Sequence, residues 1–318
     1  MMLGALLCCS SSYSGRAWWR RSTFPLRQCQ QEQQQRCGIS SSSSRWQWRN
    51  EKKSKSIEIE TERRKRSPEL VELEYANLNL KDSYGHAQVG HVRIRQHVNP
   101  LTSSFSEPTP PPDWNLIFQD CSRPLMVDIG CGSGRFLIWL AKNSFQSRNY
   151  LGLEIRQKLV QRSQLWVKDL ALNNIHFMFA NATISFGSLV STYPGPLTVV
   201  SLLCPDPHFK KRHHKRRVLQ KQLVDSISKN LCLGGHVFMQ SDVLEVALDM
   251  RSQFNAVSDV FEHIDAVDSN FLCDPDGWLV HNPMGIRTER EIHAELEGAK
   301  VFRRMYEKRK HDVDIMIS

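Results

Sequence analysis

The segment V-D-I-G-C-G-S-G-R, residues 127–135, restricts the fold more than any other stretch of the 318-residue chain. Its glycines at 130, 132 and 134 follow an apolar, β-like run at 125–129 and precede a helical pattern. Lacking a Cβ, glycine lets the backbone turn sharply off a strand end and approach a ligand at a helix N-terminus, where open α/β sheets bind. Further apolar runs at 150–153, 175–180, 197–204 and 236–240 alternate with helical-length stretches at 135–142, 156–172, 185–191, 215–231 and 243–254. This alternation predicts an α/β fold, a mostly parallel, doubly wound sheet with helices on both faces.

The turn also narrows the ligand. A dinucleotide fingerprint requires glycine at 135, where this chain has Arg135, and no strand end offers an evident proton relay, which argues against a nicotinamide-dependent oxidoreductase. Glu154 closes the second β-like run, where a carboxylate can accept both hydroxyl protons of a ribose. Asn181 and Ala182 follow the third, where an amide can meet an adenine edge. On three successive strand ends these residues outline an adenosine pocket, with neither a Walker lysine nor a pyrophosphate fingerprint beside it.

The fourth run leads into C-P-D-P-H-F-K-K-R-H-H-K-R-R, residues 204–217. Prolines at 205 and 207 restrict the backbone around Asp206. Six Lys or Arg and three His then crowd into residues 208–217, a cationic patch suited to a phosphate backbone. The overall charge does not bear on this reading. The formal net charge is +9, and residues 1–66, with 14 basic side chains against five acids, account for all of it.

V-D-I-G-C-G-S-G resembles the first motif of the Rossmann-like class I methyltransferases, which implies S-adenosyl-L-methionine as cofactor. P-D-P-x-x-K-K-R-H-x-K-R-R, with G-I-R-T-E-R-E at 285–291, is similar to the bacterial-type tRNA (guanine-N7-)-methyltransferases, as a plant organellar member, and residues 92–100 resemble the lead-in of the cyanobacterial ones. The resemblance spans roughly 92–295. It implies methylation of guanine N7 in tRNA, at a variable-loop guanosine. By position it implies cofactor contacts at Asp128, Gly130, Gly132, Gly134, Glu154, Asn181, Ala182 and Asp206, with Asp206 also catalytic. It implies tRNA contacts at Lys210, Lys211, Arg212, Arg216, Asp242, Thr288, Glu289, Arg290 and Glu291. Two positions depart from the family pattern: His208 stands where tryptophan is common, and Asp128 where many members have glutamate. The rival readings are a methyltransferase for another RNA or a protein, and a non-catalytic RNA-binding protein of the same fold.

Residues 1–50 hold seven Arg, no Lys, one acid and ten Ser, the composition of an organellar transit peptide, with plastid ahead of mitochondrion. A charged linker is expected at 51–68, an extension with the proline-rich connection 107–113 at 69–124, and the catalytic domain at 125–318. The five cysteines after the leader form no C-x-x-C pair, so neither a disulfide framework nor a structural metal is expected. No apolar run is long enough to span a membrane, and no obligate protein partner is evident, leaving monomer or homodimer open.

Overall fold

Residues 67–80, 98–144 and 147–309 are described by a computed structural model. The expectations for 1–50, for most of the linker and for 92–97 lie outside these residues. The described residues begin with helix α1 (Ser67–Glu74) and, after the extension, alternate β1 (Leu125–Ile129), α2 (Arg135–Asn143), β2 (Asn149–Glu154), α3 (Gln157–Asp169), β3 (Ile175–Phe179), α4 (Ala182–Ser191) and β4 (Leu197–Leu203). It continues through α5 (Lys221–Asn230), β5 (Leu231–Ser241), α6 (Leu244–Asn255), β6 (Phe261–His263), α7 (Glu289–Leu296) and β7 (Phe302–Lys308).

These strands form one seven-stranded sheet in the order β3-β2-β1-β4-β5-β7-β6. The first five pair in parallel, as the alternation requires, while β7 runs antiparallel between β5 and β6. Side-chain alternation divides the interior in two. Leu125, Val127 and Ile129 of β1 point into one core with Leu151, Val200 and Val237, whereas Met126 points into the other with Tyr150, Val199 and Phe238. Each such fully buried side chain contributes roughly 1.5–3 kcal/mol of apolar transfer. The extension before β1 belongs to both cores: Val71, Tyr75 and Leu78 pack on one face of the sheet, Trp114 and Phe118 on the other.

Two expectations need correcting. The helix foreseen from 215 begins only at Lys221, because residues 211–216 form a 3-10 turn and the chain bends at 217–218 before Gln220 extends into the helix start. The cause is Arg217, whose side chain is 5% exposed and ties the turn to α6 through Glu245 (2.6 Å) and Asp249 (3.0 Å). The second concerns β6 and β7, which the apolar pattern did not reveal. F-R-R-M-Y-E-K carries four charged side chains in seven residues, yet Arg303, Arg304 and Lys308 are buried, Arg303 paired with Glu291 and the other two donating to the Tyr306 hydroxyl and to backbone carbonyls.

Candidate active site

The parallel strands end in a common cleft of about 740 Å³, counted out to its open mouth. Gly130, Glu154, Arg156, Asn181, Ala182, Asp206, His208 and Arg216 are among the residues lining it. The cleft lies at the C-terminal edge of β1 to β4, where crossover connections leave room for a ligand.

The glycine turn is shaped by two different demands. Gly130 has φ +77°, and a Cβ there would meet no atom within 4 Å, so the backbone itself faces the open cleft. Gly134, at φ +80°, caps α2, and its Cβ would fall 2.6 Å from Ser163 Oγ and 2.8 Å from the Phe177 ring. Its requirement is close packing of turn on sheet. Gly132 neither lines the cleft nor meets a close neighbour, but its N–H donates to Glu154 Oε2 at 2.9 Å.

Glu154 is 2% exposed, and its carboxylate is held by that N–H and by Arg156, whose backbone N–H, Nε and Nη2 all donate to it at 2.9–3.0 Å. Arg156 was not foreseen as a site residue; the signal was present, since a cation two residues beyond a buried acid is well placed to pair with it. Asp128 does not line the cleft. It lies within β1, where Oδ1 accepts a 2.7 Å hydrogen bond from Ser201 Oγ on β4. Burial pushes its carboxyl up to about 7, the Glu154 charge adds to the rise, and the Ser201 bond opposes it.

Asn181 borders the cleft, but its side chain is committed elsewhere. Oδ1 accepts from Thr183 N–H as the cap of α4, and Nδ2 donates to the carbonyls of Pro100 (3.2 Å) and Phe105 (3.3 Å). The amide therefore anchors the lead-in segment against the cleft instead of presenting a free edge to it. Val98 and Pro100 join the lining as a result, which no local pattern announced.

Asp206 and His208 line the cleft from a strained connection. Cys204 and His208, flanking P-D-P, both adopt the left-handed region, at φ +50° and +45°. Such conformations persist where the surroundings hold them, characteristically at functional sites. Here Arg217 Nε donates to the Pro207 carbonyl at 2.9 Å. Beyond it Lys210, Lys211 and Arg212 are exposed, while Arg216 lines the cleft with its Nε buried and lacking a hydrogen-bond partner among the described residues. The basic run is therefore divided: most of it faces solvent, and Arg217 is a staple.

The residues predicted from the C-terminal motif gather at the start of α7 without lining the cleft. Thr288 and Glu291 form a capping box, and the Glu291 carboxylate, 1% exposed, also receives Arg303 (2.5 Å), Gln240 (3.2 Å) and Asn282 (2.9 Å). Asp242 accepts from Arg290 at 2.5 and 2.9 Å. Glu289 accepts from Arg135 at 2.8 Å and pairs with Ser133, so α7 is tied to the glycine turn itself. Burial pushes the Cys131 thiol up and the Cys204 thiol up to about 12, which keeps both protonated and inert at neutral pH.

A sequence family described as "Putative methyltransferase" matches residues 122–304. A tRNA (guanine-N(7)-)-methyltransferase of a Synechococcus strain is 42% identical over 235 residues, covering 74% of this chain and 90% of that protein. One from a second Synechococcus strain is 44% identical over 217 residues, 68% of this chain and 86% of that protein. A Synechocystis protein of the same name is 43% identical over 205 residues, 64% of this chain and 92% of that protein.

Proposed function

The chain belongs to the tRNA (guanine-N7-)-methyltransferase family of S-adenosylmethionine-dependent enzymes, and on that premise we propose that the guanine it methylates lies in the variable loop of tRNA. The observation that carries the reading is the placement of Asp206 on the same cleft as Glu154 and the open backbone of Gly130, with a solvent-facing cationic turn leading straight out of it.

The cleft fits the cofactor. Glu154 closes a strand on the cleft wall, where it would accept from a ribose by exchanging bonds that Arg156 now fills, Gly130 admits a close approach, and the Arg216 Nε supplies a buried donor in the wall. When bound, S-adenosyl-L-methionine supplies an activated methyl group. Guanine N7 carries an in-plane lone pair and no proton, so none of the chain's residues has to act as a base. Asp206 acts by position: its carboxylate accepts from the guanine N1–H and N2–H₂ edge and aims N7 along the line of displacement, an orienting effect worth several kcal/mol, roughly. Glu291 is unsuited to that edge-reading task, because its oxygens are already taken up inside the protein. A variable loop suits the site because its base is unstacked at little cost.

The test is methyl transfer by the full chain to bulk tRNA, followed by nucleoside analysis and mapping of the modified position. Wild type is expected to form 7-methylguanosine in the variable loop, and Asp206→Ala to lose at least about a hundredfold in rate while still binding S-adenosylhomocysteine. Modification elsewhere in the tRNA overturns the positional assignment. We also infer plastid import from the Arg- and Ser-rich, acid-poor residues 1–50, a reading supported by the similarity to Synechococcus and Synechocystis proteins. Residues 1–50 fused to a fluorescent protein are expected in plastids, and mitochondrial or cytosolic fluorescence refutes the inference.

A further inference from the structure

Among the described residues only two aromatic side chains are classed as exposed, Phe179 and Phe209. Phe179 meets Phe105 edge-on at 5.8 Å, which accounts for it. Phe209 is 66% exposed. A single apolar side chain on a surface needs no explanation by itself. The position of this one does. It follows Asp206 and His208, which line the cleft, but does not line it, and it precedes the exposed cations Lys210, Lys211 and Arg212.

The backbone that carries it is also held by the protein. The left-handed backbone at Cys204 and His208, the Arg217 bond to the Pro207 carbonyl, and the 2.6 Å hydrogen bond from His213 N–H to the Lys210 carbonyl fix the connection on both sides of residue 209. An apolar ring is thus held in water at the mouth of the cleft, inside the most cationic stretch of the described chain. Cations that track phosphates together with an aromatic face that takes a base are the two components of unpaired nucleic-acid recognition.

We propose that Phe209 stacks on a nucleobase flanking the target guanine, holding open the unstacked strand from which that guanine enters the cleft. The assignment rests on the tRNA reading above. A flanking base is indicated because the cleft wall is formed by Asp206 and His208, and Phe209 stands one residue farther out.

The experiment compares wild type, Phe209→Ala, Phe209→Leu and Phe209→Trp as full chains on bulk tRNA, measuring kcat, KM and the salt dependence of tRNA binding, with S-adenosylhomocysteine affinity measured separately. Phe209→Ala is expected to raise KM for tRNA roughly tenfold, with kcat within about twofold of wild type. Cofactor affinity and salt slope should not change, because stacking is non-ionic. Phe209→Trp is expected to restore KM, because a larger aromatic face stacks at least as well, whereas Phe209→Leu, apolar but without a π-face, is expected to behave like Phe209→Ala. An unchanged KM in Phe209→Ala, a parallel loss of cofactor affinity, failure of Phe209→Trp to rescue, or rescue by Phe209→Leu overturns the stacking role while leaving the enzyme's function intact. A wild type that binds S-adenosylhomocysteine but marks no guanine in tRNA overturns the tRNA reading and this proposal with it.

Discussion

The P-D-P turn at 204–217 and the start of α7 at 288–291 both carry motifs that imply tRNA contact, yet they are built in opposite ways. The first is strained at two residues, solvent-facing, rich in cations and stapled from behind by Arg217. The second buries Thr288 and Glu291 in a closed network with Gln240, Asn282 and Arg303, and turns Arg290 outward against Asp242. The contrast teaches that two stretches with the same implied role can be spent differently. One leaves its charges open to solvent and available to a partner, and the other commits them to holding elements of the protein together.

The comparison is put under most strain by Glu291→Ala. Removing this carboxylate takes away the 2.5 Å partner of the buried Arg303 guanidinium and leaves only the half-exposed Glu295, at 3.6 Å, to offset it, so a loss toward the lower end of about 3–5 kcal/mol of stability is expected. Chemical denaturation checks this; a midpoint close to wild type together with a large rise in KM would place Glu291 among the substrate contacts instead. Arg217→Met sharpens the other side. It removes the bonds to Pro207, Glu245 and Asp249, and a loss of about 1–2 kcal/mol is expected, together with a lower kcat as Asp206 loses its fixed position. Full activity at saturating tRNA would show that the strain at Cys204 and His208 is maintained without the staple.

Arg212→Ala carries the smallest expected effect on folding. Its side chain is exposed, so stability should stay within about 0.5 kcal/mol of wild type. Binding to tRNA should weaken, and the magnitude of the salt slope should fall by about 1 if the guanidinium neutralises one phosphate. An unaltered slope would remove Arg212 from the RNA interface, leaving the cationic turn to Lys210, Lys211 and their neighbours.

Much of the cleft was legible because its determinants are local. Short apolar runs mark β1 to β4, and three glycines in five residues leave the backbone few alternatives. Glu154, Asn181 and Asp206 stood out because each lies at or just beyond a readable strand end, and all three line the cleft. What each side chain does there was not legible. Asn181 spends its amide on the Pro100 and Phe105 carbonyls, 81 and 76 residues away, and Asp128 hydrogen-bonds Ser201 on a strand 73 residues on. Neither partner is indicated by spacing.

The sequence by itself determined the alternation of strands and helices, the glycine turn at the end of β1, and the family to which the chain belongs, since all three are written in short, contiguous patterns. Only the tertiary structure decided that β7 inserts antiparallel beside β5 and which charges are spent inside the protein. A strand bearing Arg303, Arg304 and Lys308 is stable in the interior because Glu291, the Tyr306 hydroxyl and the carbonyls of Gly277, Ser228 and Leu231 receive those charges. Burying a charge is costly until such partners are in place, and a local hydrophobic pattern carries no record of where in the chain they come from.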